Sequence, residues 1–233
     1  DFEVRLTEVE NIYKNLKLET YTDYKLSNEL KFYNQTKYRK EFYGYEDMNL
    51  SLNFNFYDSF SDNIATQDSF KIKNISNRIG IKGNSKLFNY DIYGNFGYFK
   101  YHVNALENSF SEIYVGGLLK YKNPSFDVVS NFEIKKSSDY RLKVDLKSKI
   151  FEASYLSALY EPKIFERIYL GNHYSWENNF NSSFVNNLNA KINLENRFIT
   201  FSPTINFYTI KDHIYFVGDN HLQADQVLSL IHI

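Results

Sequence analysis

The chain has 233 residues, a formal net charge of −1 and no cysteine. The balanced charge argues against a general nucleic-acid binder, which needs a basic excess or patch. The absence of cysteine excludes disulfides, a thiolate nucleophile and Cys-based metal sites. No run of about 18 apolar residues occurs, which excludes a membrane-spanning helix. Tyr and Phe, at 21 each, alternate with polar residues, so the mean hydropathy of −0.49 describes a strongly two-faced chain.

Domain organisation is simple, because no Pro/Gly/Ser-rich linker or shift in composition divides the chain. We predict one domain over residues 1–227. The chain begins at Asp1 without methionine or a signal-peptide pattern, which favours a fragment of a longer protein. The last residues, 228–233, resemble adapter read-through in assembled sequence data, and we predict a non-native tail there.

Alternation of apolar and polar residues along the N-terminal part predicts consecutive β-strands. Where Phe70 and Ile72 give way to Ile75, the apolar positions change parity, which predicts a β-bulge near Lys73–Ile75. The predicted order is a strand over Leu16–Leu26, a strand over Leu30–Phe42, a turn at Gly44–Asp47, a strand over Met48–Phe56, a loop over Ser59–Asp68 and a strand over Phe70–Ile81.

The most regular alternation covers Phe126–Ile150 and predicts an antiparallel hairpin, because the link Lys136–Asp139 has turn chemistry. Similar units lie on both sides of it. They are a turn at Gly83–Lys86, a strand over Leu87–Tyr101, a loop over His102–Ser111, a strand over Ile113–Tyr121, a turn at Asn123–Ser125, a strand over Phe151–Tyr160, a long connection from Glu161 to about Ser183, a strand over Leu188–Leu194, a turn at Glu195–Arg197, a strand over Ile199–Phe207 and a last strand near His213.

The predicted links alternate between short turns and longer connections, as in an up-and-down sheet with short turns at one edge. Links at Asn28 and Lys211 are exceptions, because both are short and fall among the long ones. The alternation therefore favours neighbouring strands that pair in chain order.

Regular alternation is also typical of soluble β-sandwiches, so strand length has to decide between the two classes. The runs Leu87–Tyr101 and Tyr140–Ile150 reach the roughly 9 to 11 residues of a membrane strand, whereas soluble strands average about 5 to 6. Aromatic residues also flank an aliphatic or small centre on one face of Leu87–Tyr101, as at the two membrane interfaces. We predict an all-β fold, an antiparallel up-and-down transmembrane β-barrel of which about twelve strands are present and closure is incomplete.

Opposite faces of these strands are predicted to meet lipid and water. The predicted lipid-facing residues are Phe88, Tyr90, Ile92, Phe96, Tyr98, Leu142, Val144 and Leu146. The predicted pore-lining residues of the hydrated face are Asn89, Asp91, Asn95, Asp127, Asn131, Glu133, Lys135, Arg141, Lys143, Asp145, Lys147 and Lys149. Such charges can select ions, but their mixed signs leave a merely hydrated wall as an equal alternative.

Catalytic, metal and cofactor sites are not predicted. His173 lies near Ser175 and invites a hydrolase interpretation, but no orienting acid stands out, and we predict no catalytic residue. His102, His173, His213 and His221 lack the spacing of a shared metal site. No Gly-rich phosphate loop occurs, and Trp176 is better interpreted as a membrane-interface anchor than as a ligand platform.

The segment GNHYSWENNF at Gly171–Phe180, together with Tyr160, Glu161 and Pro162, resembles the putative porin family of Bacteroidetes outer membranes. The resemblance also covers the order of strands and the Asn-rich alternate faces over most of 68–217. It implies an outer-membrane β-barrel that acts as a diffusion channel, with no catalytic residue to carry over. A complete member would add a signal peptide and a closing terminal strand with an aromatic end.

The leading hypothesis for function is therefore a water-filled outer-membrane channel for passive diffusion of small solutes in a Gram-negative bacterium. Its expected partners are outer-membrane lipid and small hydrophilic solutes, without nucleic acid or cofactor. Two alternatives remain open at this point. One is a non-conducting structural or ligand-binding barrel that uses its long connections, and the other is a soluble β-sheet adhesin or binding module.

Overall fold

The computed structural model describes residues 8–50, 64–104, 106–137, 139–217, 220–224 and 228–232. These residues form β-strands and one short helix, α1 (Ile164–Arg167). The strands are β1 (Val9–Lys25), β2 (Leu30–Asp47), β3 (Thr66–Asn84), β4 (Phe88–Val103), β5 (Leu106–Lys122), β6 (Phe126–Lys135), β7 (Tyr140–Ser148), β8 (Phe151–Tyr160), β9 (Ile168–Leu170), β10 (Ser175–Glu177), β11 (Ser183–Ile192), β12 (Leu194–Glu195), β13 (Thr200–Phe201), β14 (Thr204–Lys211), β15 (Ile214–Val217), β16 (Asn220–Gln223) and β17 (Leu228–His232).

Eleven strands form one antiparallel sheet in the order β1-β2-β3-β4-β5-β6-β7-β8-β11-β14-β17. Each strand pairs with the next long strand in the chain, which confirms the predicted all-β, up-and-down architecture. The pairs β9/β10, β12/β13 and β15/β16 form separate two-stranded ribbons within the connections. In the described ranges β1 and β17 are the two edges, so the sheet is an open wall rather than a closed barrel.

The first five strands are very long, at 16 to 19 residues. Three local predictions are wrong here. Gly44 lies inside β2 opposite Ile12, so Gly44–Asp47 is not a turn. The ladder between β3 and β4 runs without interruption from Phe70 to Asn84, so there is no bulge near Lys73–Ile75.

The third wrong prediction is the loop His102–Ser111, where β4 and β5 instead pair up to Val103 and Leu106. Both faces of the sheet change polarity in this region. Phe70 and Ile72 point to the otherwise polar face, whereas Lys71 and Lys73 point to the otherwise apolar one. A strand with exchanged polarity looks like a bulge or a loop when only alternation is considered.

Some predictions fall partly outside the described residues. The strand predicted over Met48–Phe56 lies outside them from residue 51 onward, and residues 48–50 are not in a strand. The loop predicted over Ser59–Asp68 lies outside them up to residue 63, and β3 already begins at Thr66. No helix among the described residues is long and apolar enough to cross a membrane.

Successive connections lie alternately at the two edges of the sheet, and the three longest, 48–65, 161–182 and 212–227, share one edge. One edge carries the links 26–29, 85–87, 123–125, 149–150 and 193–203, and the other carries 48–65, 104–105, 136–139, 161–182 and 212–227. The predicted exception at Asn28 disappears, because that link lies with the short turns. We call the second edge the long-connection edge.

The C-terminal part departs from simple alternation. Instead of a three-residue turn at Glu195–Arg197, the ribbon β12/β13 intervenes before the main ladder resumes at Thr204. The strand predicted near His213 is β15, which pairs with β16 outside the main sheet. Residues 228–232 form β17 beside β14, and their predicted origin as a non-native tail stays a prediction.

Candidate functional site

Strand register assigns the predicted pore-lining residues to one face of the sheet, here called the polar face. Asp91, Asn131 and Lys143 lie in one row across β4, β6 and β7, with Leu118 of β5 between the first two. The other predicted residues of β4, β6 and β7 share this face by alternation. Lys149 is the exception, since it follows β7 in a turn.

The predicted lipid-facing residues share the opposite face, here called the apolar face. Ile92, Phe132 and Leu142 lie in one row across the wall. Ile92 and Phe96 are 48% and 49% exposed, whereas Asn95 on the polar face is only 8% exposed. Arg141 and Lys147 of β7 are exposed as well. On β4, however, large apolar side chains point to the surroundings and Asn95 packs against the protein. Soluble proteins show the reverse distribution.

Two tyrosines of the polar face cross a neighbouring strand to reach an acid on the strand beyond it. Tyr33 of β2 lies over Gly80 and donates a hydrogen bond to Asp91 of β4 at 2.8 Å. A Cβ at Gly80 would come within 2.6 Å of the Tyr33 ring, so only glycine leaves room. Each such contact ties together three consecutive strands.

The second contact has the same form as the first and lies two strands further along the sheet. Tyr93 of β4 lies over Gly116 and donates to Glu133 of β6 at 2.7 Å. The Arg78 guanidinium stacks on the Tyr93 ring at 3.8 Å from its centroid, a cation–π contact. The middle of the polar face is therefore a rigid, charged surface.

The connection between β8 and β11, residues 161–182, folds back onto the polar face, and we call it the inserted segment. Phe165 of α1 packs on Phe70 of β3 with ring centroids 3.7 Å apart. Ile164, Phe165, Ile168 and Tyr169 join Phe70, Tyr101 and Val103 in one hydrophobic cluster. This packing explains why β3 and β4 turn apolar residues to the polar face near the long-connection edge.

Because β8 and β3 are five strands apart in the sheet, the inserted segment spans a large part of the wall. Its far end is held by Asp68 of β3, which is 9% exposed. The Asp68 carboxylate accepts hydrogen bonds from the Asn172 backbone N–H at 2.9 Å, from Asn104 Nδ2 at 2.9 Å and from the Tyr169 hydroxyl at 3.4 Å. Burial, and then the Asp68 charge, raise the pKa of Tyr169, which therefore stays a hydroxyl donor.

Both ends of the inserted segment meet at a second buried aspartate, Asp139, in the link between β6 and β7. Its carboxylate accepts from the Glu161 backbone N–H at 3.0 Å and from Ser182 Oγ at 3.3 Å. Burial is the largest cause that raises the pKa of Asp139, and the nearby Glu161 carboxylate adds to it. The hydrogen bonds and Lys135 act in the opposite direction.

A cavity of about 1060 Å³ lies between the inserted segment and strands β2 to β5. Six of the eight charged residues of its lining form pairs of opposite sign, and the other two are Lys136 and Lys163. Lys135 lies 2.9 Å from Glu112, Arg167 lies 3.8 Å from Glu161, and Arg39 pairs with Glu41. Of the predicted pore-lining residues, only Lys135 lines this cavity. These side chains give the cavity a hydrated character with an excess of two positive charges.

Residues weighed for chemistry lie in the inserted segment. His173 is 7% exposed, with Nε2 at 2.7 Å from the Thr66 hydroxyl oxygen. Trp176, interpreted above as a membrane-interface anchor, stacks on Tyr169 and donates from Nε1 to the Phe165 carbonyl at 2.7 Å. No group of three or more potential His, Asp or Glu metal ligands occurs among the described residues. These side chains fold the inserted segment.

Comparison with known proteins agrees with this architecture. The whole chain, residues 1–233, matches the family described as "Putative porin". The chain belongs to this family. No curated protein and no solved structure matches it. Family membership thus supports a porin-like protein built as a β-sheet wall, and the geometry above has to supply the detail.

Local sequence patterns do not identify several important residues of this porin-family chain. Tyr33, Tyr93 and Arg78 act across strands, and a single strand pattern carries no signal for such contacts. Asp68 was assigned to a loop and Asp139 to a turn, although both are buried anchors. The one available signal was the change of parity at Phe70, which marks the surface that the inserted segment covers.

Proposed function

We propose that this chain forms the wall of an outer-membrane channel for passive diffusion of small hydrophilic solutes in a Gram-negative bacterium. The apolar face contacts lipid, the polar face lines water, and the inserted segment narrows the passage. The observation that carries the proposal is the inverted exposure on β4, with Ile92 and Phe96 about half exposed and Asn95 nearly buried. A contiguous exposed apolar surface fits hydrocarbon, where lipid-facing and lumen-facing residues alternate.

Orientation follows from the two edges of the sheet. In bacterial outer-membrane barrels short turns face the periplasm and longer loops face the outside. On this basis the long-connection edge, with the inserted segment, lies at the external end of the channel. Solutes entering from outside meet the cavity between the inserted segment and β2 to β5 before the tyrosine-bridged middle of the wall.

The direct test is conductance of the full-length protein in planar lipid bilayers. We expect stepwise ion currents with a weak preference for anions, because most charges around the cavity are paired and the two others, Lys136 and Lys163, are positive. A protein that is folded and inserted but carries no current would refute an open channel. Small-solute uptake into loaded vesicles measures the same property without an applied voltage.

A matched pair of phenylalanine variants tests the role of the inserted segment. Phe165→Ala removes the ring that packs on Phe70 and should increase conductance by loosening the segment. Phe96→Ala removes an exposed ring of the apolar face and should weaken insertion while leaving conductance per channel unchanged. Equal conductance of Phe165→Ala and the parent protein would show that the segment does not limit the passage.

The extent of the inserted segment favours a second candidate, a barrel that is plugged and binds ligands at its outer end. The segment spans from β8 to β3, and buried aspartates hold it at its two ends (Asp139) and near its middle (Asp68). Deleting 161–183 separates the two functions. Conductance that appears only after the deletion supports the plugged barrel, whereas conductance in the intact protein supports the open channel.

A further inference from the structure

The apolar face of the long strands ends in a group of basic residues near the long-connection edge. On β4 this face is apolar from Phe88 to Tyr98, close to the roughly 9 to 11 residues that a tilted membrane strand needs. Beyond Tyr98 the same face carries Lys100 and His102. The first basic side chain therefore appears where the hydrocarbon span would end.

Register aligns the basic residues of four strands into two rows. Lys40 of β2, Lys73 of β3 and Lys100 of β4 are direct partners in the first row. The second row consists of Lys14, Phe42, Lys71 and His102. We call these two rows the basic rows.

Three lysines directly opposite one another destabilise a sheet unless an anion compensates them. Neighbouring strands lie about 4.8 Å apart, so the Cα atoms of the three lysines fall within about 10 Å of one another. Glu107 of β5 pairs with Lys100 and with His102, the latter at 3.1 Å. Within the described ranges, Lys40 and Lys73 have no acidic partner within ion-pair distance.

The second row is prepared in a different way. Lys14 and Lys71 lie 5.9 and 5.5 Å from the centre of the Phe42 ring, on either side of it. Cation–π contacts hold both ammonium groups close to the sheet. Neither lysine has an acidic partner within ion-pair distance in the part of the chain that the structure describes. The patch is thus strongly cationic in a chain whose net charge is −1.

The position of the basic rows selects the kind of anion. They lie on the face of Ile75 and Tyr98, one step beyond these exposed residues, and not on the polar face. Solutes inside a channel would not reach them. Lipid headgroups lie at this level, and basic clusters at the ends of membrane spans recognise anionic headgroups.

We propose that the basic rows bind the phosphate groups of an anionic lipid headgroup in the external leaflet. A headgroup with two phosphates supplies two anionic groups for the three lysines of the Lys40–Lys73–Lys100 row. The inference rests on the proposed membrane orientation of the wall but not on ion conduction. It assigns to the outer surface a binding function separate from the channel.

The test uses the full-length protein folded in neutral detergent micelles and counts bound lipid by native mass spectrometry. The probe is lipid A, which carries two phosphate groups, and phosphatidylcholine is the comparison lipid. We expect the parent protein to retain lipid A far more strongly than phosphatidylcholine. Retention should weaken as salt rises, because the attraction is electrostatic.

Two triple variants provide the matched comparison. Changing Lys40, Lys73 and Lys100 to Gln should weaken lipid A retention roughly 100-fold, since each lysine near an anionic surface contributes about fivefold, or ~1 kcal/mol. The same change at three lysines of the polar face should leave retention unaltered. These control lysines are Lys17, Lys37 and Lys147.

Three outcomes would overturn the inference. Equal retention by both triple variants would show that position on the apolar face is irrelevant. Displacement of lipid A by millimolar inorganic phosphate would identify a free-anion site instead of a headgroup site. The third outcome is unchanged retention of lipid A by Lys73→Gln, which should lose about fivefold. This single variant replaces the Lys40, Lys73 and Lys100 triple variant if the latter does not fold. Conductance, measured in parallel, tests the channel separately, so either proposal can fail while the other stands.

Discussion

Replacing Gly116 by alanine tests the packing of the wall, because Tyr93 lies directly over this glycine. An added Cβ would come within 2.6 Å of the Tyr93 Cζ and hydroxyl oxygen atoms. The ring must therefore move and give up its 2.7 Å hydrogen bond to Glu133 and its 3.8 Å contact with the Arg78 guanidinium. Gly94 provides the control, since an added Cβ there meets no atom within 4 Å.

The expected size of the effect follows from three contributions. A hydrogen bond to a charged group contributes about 1.5 kcal/mol at the lower end of its range, appropriate because the Glu133 side chain is 39% exposed. A cation–π contact contributes about 0.5 kcal/mol. Alanine offsets about 0.5 kcal/mol through the lower entropy of the unfolded chain. Gly116→Ala should thus destabilise the protein by about 1.5 kcal/mol, and Gly94→Ala should be neutral or slightly stabilising.

Urea-dependent folding of the full-length protein into lipid vesicles measures both free energies. A double-mutant cycle then isolates the contact, because Gly116→Ala should have no cost once Tyr93→Ala has removed the ring. Equal destabilisation by Gly116→Ala and Gly94→Ala would refute the reasoning. So would a full cost of Gly116→Ala in the Tyr93→Ala background.

Three further predictions concern the faces and the inserted segment. Val144→Arg, on the apolar face, should cost about 2 to 4 kcal/mol of folding free energy in the same vesicle-folding assay. Asp145→Arg, on the polar face, should mainly shift current toward anions. Greater destabilisation by Asp145→Arg would mean that the faces are reversed. The raised pKa of Asp139 means that the docked state takes up a proton more readily than the unfolded chain. Docking of the inserted segment therefore gains stability as pH falls through the raised pKa toward the ordinary aspartate value, and this gain is lost as pH rises. Hydrogen exchange of 161–182 should therefore slow on acidification, and Asp139→Asn should remove this dependence; a parent whose segment is released by acid would contradict the sign. Asn104 has φ of +49° and donates a hydrogen bond to the Leu170 carbonyl. Alanine is strained at this φ and glycine is not, so Asn104→Ala should destabilise the docked segment by about 1 kcal/mol more than Asn104→Gly, measured as lower protease resistance. Equal effects would exclude that strain.

Much of the wall was predictable because alternation is a local property with a period of two residues. β6, β7 and β8 agree with the predicted strands almost to the residue. β6 and β7 keep one polarity on each face apart from Val129, so single residues carry enough information there, whereas β8 places Leu156 and Ala158 on the polar face. The prediction of a membrane protein rests on strand length, which is also a local property of the sequence.

The errors lie where a distant segment determines the polarity of a strand. Phe70 and Tyr101 point to the polar face because Phe165, about 60 to 95 residues away in the chain, packs there. Under the proposed membrane placement, Lys73 points to the apolar face because the strand continues beyond the hydrocarbon level. No local pattern distinguishes such an exchange from a bulge or a loop. The anchors Asp68 and Asp139 were missed for the same reason.

The tyrosine contacts have a consequence for how the circumference of such a wall can change. β4 carries both Asp91, which accepts from Tyr33, and Tyr93, which donates to Glu133 two strands later. The contact therefore repeats with a step of one hairpin. Removing or duplicating the hairpin β3–β4 would leave each tyrosine facing a glycine strand and an acidic strand. The width of the sheet can thus change in units of two strands while these contacts are kept.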